Sequence, residues 1–254
     1  VLDDARVNML LMPGREEFYQ KASLEAIPDR YIIYGPPKDL PLLDRIERQH
    51  KPIISVDFNL ENHLSLNIDN YGGAKAAARH IFKTTNGPVA VIGLRLSKSS
   101  PEDRVKESNL YDPNFSISRQ RLNAYLDAGQ EAGRPIDFNS IWDTSKSSWE
   151  EGIKAARNAL SASPRPAALL CMSDNLALAA LSVARELNLQ VPEQLSIVGF
   201  DDTPAASVNH PEVTTVYQPS LEKGRLAAKM ALNPEQYDSI ILPTELKIRE
   251  TSLS

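Results

Sequence analysis

Short apolar runs rich in branched residues alternate along the chain with segments whose apolar residues recur at helical spacing. The runs occupy residues 7–12, 31–34, 53–58, 89–93, 167–172 and 195–200. Most are apolar throughout, which is typical of parallel strands covered by helices on both faces. We therefore predict a strand at each run.

Four intervening segments carry an apolar stripe along one helix face. They run from Ala74 to Phe82, Leu122 to Leu126, Trp149 to Leu160 and Leu176 to Leu187. The alternation of strands and helices predicts a doubly wound α/β fold. At roughly 150 residues per domain, a chain of 254 residues is long enough for two lobes. Residues 95–118 interrupt the pattern with a polar, proline-containing stretch directly after a strand, where α/β proteins place loops that contact ligands.

The amino-acid composition argues against several classes of function. Lys and Arg number 28 against 33 Asp and Glu, for a net charge of −5, so this chain offers no basic surface for a nucleic-acid backbone. Its single cysteine, Cys171, lies in an apolar run and predicts a buried, inert thiol rather than a disulfide or a nucleophile. No apolar run approaches the roughly 20 residues that span a bilayer, and the first residues lack a signal-peptide layout. We predict a soluble, cytoplasmic protein.

The motifs of common enzymes are missing from the sequence. It contains no G-x-S-x-G, no G-x-x-x-x-G-K-[ST], no G-x-G-x-x-G and no H-E-x-x-H, and the four histidines lack the spacing of metal ligands. We predict no catalytic residues, no metal and no cofactor.

Two pairs of polar residues follow predicted strands. Asp201 and Asp202 precede Thr203 and Pro204, so they either form a turn or present a carboxylate to a ligand at the carboxyl end of a parallel strand. Ser173 and Asp174 stand in the same position after the preceding strand, and their simplest role is to cap the following helix.

A longer motif set resembles the effector-binding core of the lactose-repressor and galactose-repressor (LacI/GalR) family of bacterial transcription regulators. It consists of VPEQLSIVGFDDTPAA, HPEVTTVYQP and the G-x-x-A-A pattern of residues 224–228, together with IDNYGGAKAAARHI, NGPVAVIG, RLNAYLDAG and the tail LPTELKIRETS. The resemblance extends from about residue 7 through most of the chain.

The resemblance implies two periplasmic-binding-protein-type lobes with a small molecule in the cleft between them. By analogy the chain crosses between lobes near Leu94, Gln218 and Ser239. The first lobe then comprises residues 1–94 and about 219–238, and the second comprises residues 95–217 and about 239–254.

Effector-binding residues are also implied by the resemblance. Arg121 opens the helix whose family arginine pairs with the effector, and its planar fork suits a sugar or a base edge. Asp201 matches a usual effector acceptor. Asp69 either reaches the cleft or caps its helix, Ser173 stands where many members carry asparagine, and Gln218 either touches ligand or serves the crossing.

An aromatic residue that stacks on the ligand is common in the lobe with Trp142 and Trp149. The spacing to Gly152 does not decide between them, and Trp149 is included in the predicted site. Ala124 replaces a family glycine, and the longer loop at residues 95–118 prevents transfer of its contacts.

The resemblance further implies that a helix-turn-helix headpiece and a first core strand precede these residues in a longer parent chain. The predicted function is that of a ligand-responsive repressor, a homodimer whose effector is a sugar or nucleoside and whose headpieces bind operator DNA. The alternative is a solute-binding protein of a transport system, which would carry a signal peptide or lipid anchor in place of a headpiece.

Overall fold

The structure, a computed structural model, describes residues 5, 7–11, 28–36, 40–96 and 116–254. Most of the predicted loop at residues 95–118 lies outside these ranges. The chain divides into two compact units, each built from separate stretches. Unit 1 contains residues 1–68 and 219–242, and unit 2 contains residues 69–218 and 243–254.

Unit 1 contains a four-stranded parallel sheet in the order β1-β2-β3-β9. Its elements are β1 (Tyr31–Tyr34), α1 (Leu40–Glu47), β2 (Ile53–Val56), β3 (Leu64–Ile68), α7 (Ser220–Leu232) and β9 (Ile240–Leu242). The four residues of β2 are all buried, as expected for a strand with neighbours on both sides.

Unit 2 contains a six-stranded sheet in the order β10-β8-β7-β6-β4-β5, in which only β10 runs antiparallel to its neighbour. Its strands are β4 (Val89–Ile92), β5 (Ile141–Trp142), β6 (Ala168–Cys171), β7 (Ser196–Asp201), β8 (Thr214–Tyr217) and β10 (Glu245–Lys247). Its helices are α2 (Asn70–Thr84), α3 (Ile117–Glu131), α4 (Trp149–Leu160), α5 (Asp174–Glu186) and α6 (Pro204–Val208). The predicted α/β fold class is confirmed.

Small residues bring the helices of unit 2 close together. Helix α2 packs against α3, and α4 packs against α5. At Gly152 on α4, an added Cβ would lie 2.7 Å from the Cβ of Ala179 on α5, so glycine permits this approach. Close helix packing fixes the strands beneath, and the carboxyl ends of those strands carry the residues discussed below.

Five of the six predicted strands form, and the first prediction is wrong for the residues described there. Residues 7–11 carry no regular secondary structure, and Leu11 is 82% exposed. An apolar run becomes a strand only when a neighbouring strand satisfies its backbone groups, and among the described residues none pairs with this segment.

The unit boundaries differ from those implied by the resemblance. Residues 69–94 belong to unit 2, because β4 pairs with both β5 and β6. The chain therefore leaves unit 1 after Ile68 instead of near Leu94. The second change of unit falls between Gln218 and Pro219, and the third falls between Leu242 and Pro243; the resemblance implied crossings near Gln218 and Ser239.

Candidate functional site

Polar side chains follow the carboxyl ends of three adjacent strands in unit 2. Ser173 comes two residues after the end of β6, Asp201 is the last residue of β7, and Gln218 follows β8 directly. Since these strands are parallel, their carboxyl ends meet at one edge, the usual ligand-binding edge of an open α/β sheet.

Arg121 on α3 is the centre of this group. Its side chain is buried, and its Nε donates a hydrogen bond to Oδ1 of Asn70 over 3.0 Å. One terminal nitrogen donates to the carbonyl of Met172 over 2.6 Å. The guanidinium carbon lies 3.4 Å from the centre of the Phe200 ring. Stacking and directed hydrogen bonds together fix the orientation of the guanidinium plane.

Asp201 faces the guanidinium from the end of β7. Its Oδ1 lies 3.9 Å from the remaining terminal nitrogen of Arg121 and accepts a hydrogen bond from Nε2 of Gln218 over 2.7 Å. The Asp201 side chain is 27% exposed, against 7% for Arg121. A carboxylate that is held in place and still reaches solvent can accept hydrogen bonds from a polar ligand.

Ser173 follows Met172 in the chain and contacts the loop before α4. It caps α5 by accepting from the backbone N–H of Leu176 over 3.3 Å, as predicted. Its hydroxyl also lies 2.6 Å from that of Ser147. Asn175 donates to the carbonyl of Ser147 over 3.3 Å, so the start of α5 and this loop are held together.

Asp69 caps its helix, which is one of the two roles left open for it, and its neighbour Asn70 contacts Arg121. Asp69 is exposed and caps α2, accepting from the N–H of Gly72 over 2.7 Å. Asn70 is 2% exposed and is the residue whose side chain accepts from Arg121. The sequence analysis missed Asn70, although its place beside a predicted cap residue was a usable signal.

The two tryptophans occupy different surroundings. Trp149 is the first residue of α4 and is 50% exposed. Trp142 is buried at the end of β5 and lines a cavity of about 150 Å³ with Thr144, Lys154 and others. Trp149 lies two residues after Ser147, which contacts Ser173. A stacking role for either ring stays a prediction.

Unit 1 contains a buried ion pair that the sequence analysis also missed. Asp57 follows β2, and Nζ of Lys223 on α7 lies 2.8 and 2.7 Å from its two carboxylate oxygens. Both side chains are less than 10% exposed. Nζ of Lys223 also lies 5.7 Å from the centre of the Tyr34 ring. This pair ties α7 to the end of β2.

The residues that the structure describes, 5, 7–11, 28–36, 40–96 and 116–254, contain neither a metal-binding cluster nor a membrane-spanning helix. No group of three or more His, Cys, Asp or Glu in those ranges could hold a metal ion. None of the helices described there is long and apolar enough to cross a membrane. Cys171 is buried, as predicted, and its burial raises the pKa of the thiol above its ordinary value.

An α/β unit with a fixed arginine and a partly exposed carboxylate at its strand ends has the organisation of a small-molecule-binding domain. Residues 109–252 match the family described as the periplasmic binding protein-like domain. The chain belongs to this family and is an effector-binding core of the LacI/GalR type.

Known relatives of the chain are transcription regulators. It is 30% identical to an HTH-type transcriptional regulator of Mycobacterium tuberculosis, over 84% of this chain and 59% of that protein. It is 34% identical to the ribose operon repressor of Haemophilus influenzae, over 55% of this chain and 43% of the repressor. The chain thus spans about half the length of these two relatives.

A solved structure of a transcriptional regulator CelR–cellobiose complex superposes with a TM-score of 0.74. It is 25% identical to this chain, and the match covers 88% of this chain and 66% of that one. These three relatives are named as regulators, not as transport proteins or enzymes, which favours regulation over the alternative of solute transport.

Proposed function

We propose that this chain is the effector-binding core of a bacterial transcriptional repressor. Its effector is a small polar molecule, a sugar or a nucleoside, and the parent protein is a cytoplasmic homodimer that binds operator DNA through headpieces. The single observation that carries the proposal is the group formed by Arg121, Asn70, Asp201 and Gln218 at the carboxyl edge of the unit 2 sheet. The named relatives support the regulatory part.

The group is suited to hydroxyl-rich ligands because it offers both acceptors and a donor in fixed positions. Asp201 provides a partly exposed carboxylate, and each hydroxyl of a sugar can donate to such an oxygen. Arg121 is oriented by Asn70 and by the Met172 carbonyl before any ligand arrives. Fixed orientation lowers the entropic cost of binding. We propose that Ser173, Asp69 and Trp149 complete the unit 2 contribution.

Regulation would follow from linkage between effector and operator. If the effector binds one state of the dimer more tightly, it shifts the population toward that state, and operator affinity changes by the ratio of the two effector affinities. A ligand with equal affinity for both states would change nothing. The net charge of −5 disfavours binding of a phosphate backbone by this core alone, so we assign operator binding to the headpieces of the parent protein.

The first test is a thermal-shift screen against D-ribose, cellobiose and adenosine, since a ligand that binds only the folded state raises the midpoint temperature. We expect a dose-dependent rise with one of them. Asp201→Ala should then weaken binding of that compound by about 1–3 kcal/mol, because an acceptor of hydrogen bonds from the ligand is lost.

Asp202→Asn is the matched control. Asp202 is the neighbouring carboxylate, but Arg249 holds it through an ion pair of 2.6 Å, and asparagine keeps an oxygen toward that arginine. Affinity should therefore stay close to that of the unchanged protein. Equal losses in both variants would remove Asp201 from the site. A parent protein that binds no operator under any of these conditions would refute the regulatory function.

A further inference from the structure

Asp174 is a fully buried carboxylate that the site described so far does not explain. It is the first residue of α5, and its side chain accepts three hydrogen bonds. Its Oδ2 accepts from the backbone N–H of Thr203 over 2.6 Å and from the Thr203 hydroxyl over 3.0 Å. Its Oδ1 accepts from the Thr215 hydroxyl over 2.5 Å.

Helix capping does not account for this carboxylate. Ser173 already caps α5 by accepting from the N–H of Leu176. Burial of Asp174 raises the pKa of its carboxyl above the ordinary value, and the hydrogen bonds from Thr215 and Thr203 counteract that shift. Burying a carboxylate costs free energy unless its partners compensate. The three hydrogen bonds to Asp174 supply this compensation and link the elements that carry the donors.

Those bonds hold the short segment that presents Asp201. Thr203 ends a stretch in which Asp201 has φ 117° and Asp202 has φ 52°. Non-glycine residues adopt such positive φ values only at an energetic cost, and they persist where surrounding contacts enforce them. Asp174 accepts from both the backbone N–H and the hydroxyl of Thr203, directly after the two strained residues.

Gly199 on β7 makes room for this arrangement. A Cβ at position 199 would lie 2.5 Å from Oδ1 of Asp174, so any larger residue would displace the carboxylate. The first turn of α5 therefore reaches the strand that ends in Asp201. One side chain thus connects the start of α5, strand β8 and the segment after β7.

We propose that Asp174 is the positioning residue of the effector site and that it sets the place of the Asp201 carboxylate through Thr203. The inference rests on the proposed function, because it assigns to Asp174 a role in binding the effector. Asp174 itself need not touch the effector. It acts by holding residues 201–203 in the conformation that lets Asp201 accept from Gln218 and face Arg121.

The first experiment needs no effector. In the full protein labelled with ¹⁵N-glutamine, the side-chain amide of Gln218 reports whether Asp201 is in place, since it donates to Asp201. We expect Asp174→Ala to move this resonance toward that of a solvated amide. Asp174→Asn should restore it, because an amide oxygen can accept from Thr203 while its NH₂ donates to Thr215.

Thr215→Val is the matched control, since it removes a bond from Oδ1 and leaves both bonds from Thr203. The Gln218 resonance should stay in place in this variant. Thr203→Val tests the same idea if Asp174→Ala fails to fold, because it removes one bond from the segment side alone and should move the resonance part of the way. If Asp174→Ala folds and its Gln218 resonance does not move, the inference is overturned. If Asp174→Ala does not fold, an unmoved Gln218 resonance in Thr203→Val overturns it.

A double-mutant cycle distinguishes this inference from the proposed function. Binding of D-ribose and of cellobiose is measured by calorimetry for Asp174→Ala, Asp201→Ala and the double variant. If Asp174 acts through Asp201, its loss weakens binding about tenfold or more in the unchanged protein and has little further effect after Asp201→Ala. Additive losses would overturn the inference. If neither sugar binds the unchanged protein, the sugar part of the proposed function loses support, and the Gln218 resonance alone decides the role of Asp174.

Discussion

The two units each bury a cation beside a carboxylate, but they do so in different ways. In unit 1, Lys223 and Asp57 are both buried and Nζ bridges both carboxylate oxygens. In unit 2, Arg121 is buried and distributes its bonds among Asn70, a backbone carbonyl and an aromatic face, while Asp201 stays partly exposed. The first arrangement ties a helix to a sheet. The second keeps a carboxylate available at the strand ends.

Burial of charge alone therefore does not identify a binding site. A buried pair is costly to break because the charge left behind has no partner. A fixed arginine with a partly exposed carboxylate can exchange water for a ligand without losing its supporting bonds. The variants below test that distinction, in order of decreasing expected effect.

Lys223→Met should have the largest effect. It leaves the Asp57 carboxylate buried and without its main partner, and we expect the free energy of unfolding to fall by about 3–5 kcal/mol in denaturant titration. The double variant Lys223→Met with Asp57→Leu should recover most of the loss, since apolar replacement of a buried pair is often neutral. A double variant as unstable as the single one would contradict this account.

Arg121→Lys should have a smaller effect on stability, about 1–3 kcal/mol. Lysine keeps the charge but cannot stack its planar fork on Phe200 while bonding Asn70 and the Met172 carbonyl. Thermal and denaturant unfolding measure the loss. Arg79→Lys is the control, because Arg79 is exposed and pairs with Glu131 on the surface, where such a change should be close to neutral. Equal losses in the two variants would show that the contacts of Arg121 contribute no more to stability than those of an exposed arginine.

Asp174 should make the free energy of unfolding depend on pH. Burial raises its folded-state pKa above the ordinary value of 3.8, so the folded protein takes up a proton more readily than the unfolded chain. Its favourable contribution is therefore present below about pH 3.8 and is lost as the pH rises through the folded-state pKa. The stability difference between the unchanged protein and Asp174→Asn should fall with rising pH.

Glu131 provides a control, because its contribution to stability should change with pH in the opposite direction. Hydrogen bonds from Lys75 and Arg79 lower the pKa of its carboxyl, so its contribution is present above the ordinary pKa and is lost as the pH falls. The difference between the unchanged protein and Glu131→Gln should therefore rise with pH. Slopes of the same sign for both differences would contradict the assignment for Asp174.

The smallest expected effect is the labelling of Cys171 by a thiol reagent, which should not occur in the folded state. Its thiol is buried in unit 2 and its pKa is raised by burial, so a thiol reagent should label it only when unit 2 opens. Lys223→Met should leave the labelling rate of native protein unchanged if the ion pair stabilises unit 1 alone. Faster labelling in that variant would show that the two units open together.

Much of the fold and part of the site could be predicted from the sequence. Apolar runs bounded by polar residues predicted β1, β2, β4, β6 and β7, and the helix stripes predicted α2 to α5, because burial imposes local periodicity. Strands β3, β5, β8 and β9 were not predicted. In β3 the sequence LSLNI mixes polar and apolar residues, and β5 has only two residues. The family resemblance assigned Arg121 and Asp201 separately to the effector site, and the structure brings the two side chains within 3.9 Å of each other.

The fold class, the resemblance to a regulator core and the positions of Arg121 and Asp201 follow from the amino-acid sequence alone, because they depend on local pattern and on motifs contiguous in the chain. The contacts of Asn70 with Arg121, of Lys223 with Asp57 and of Asp174 with Thr203 could be found only in the folded structure. These partners are separated by 51, 166 and 29 positions. Strand pairing and helix packing bring such residues together, and no periodicity in the sequence records those distances.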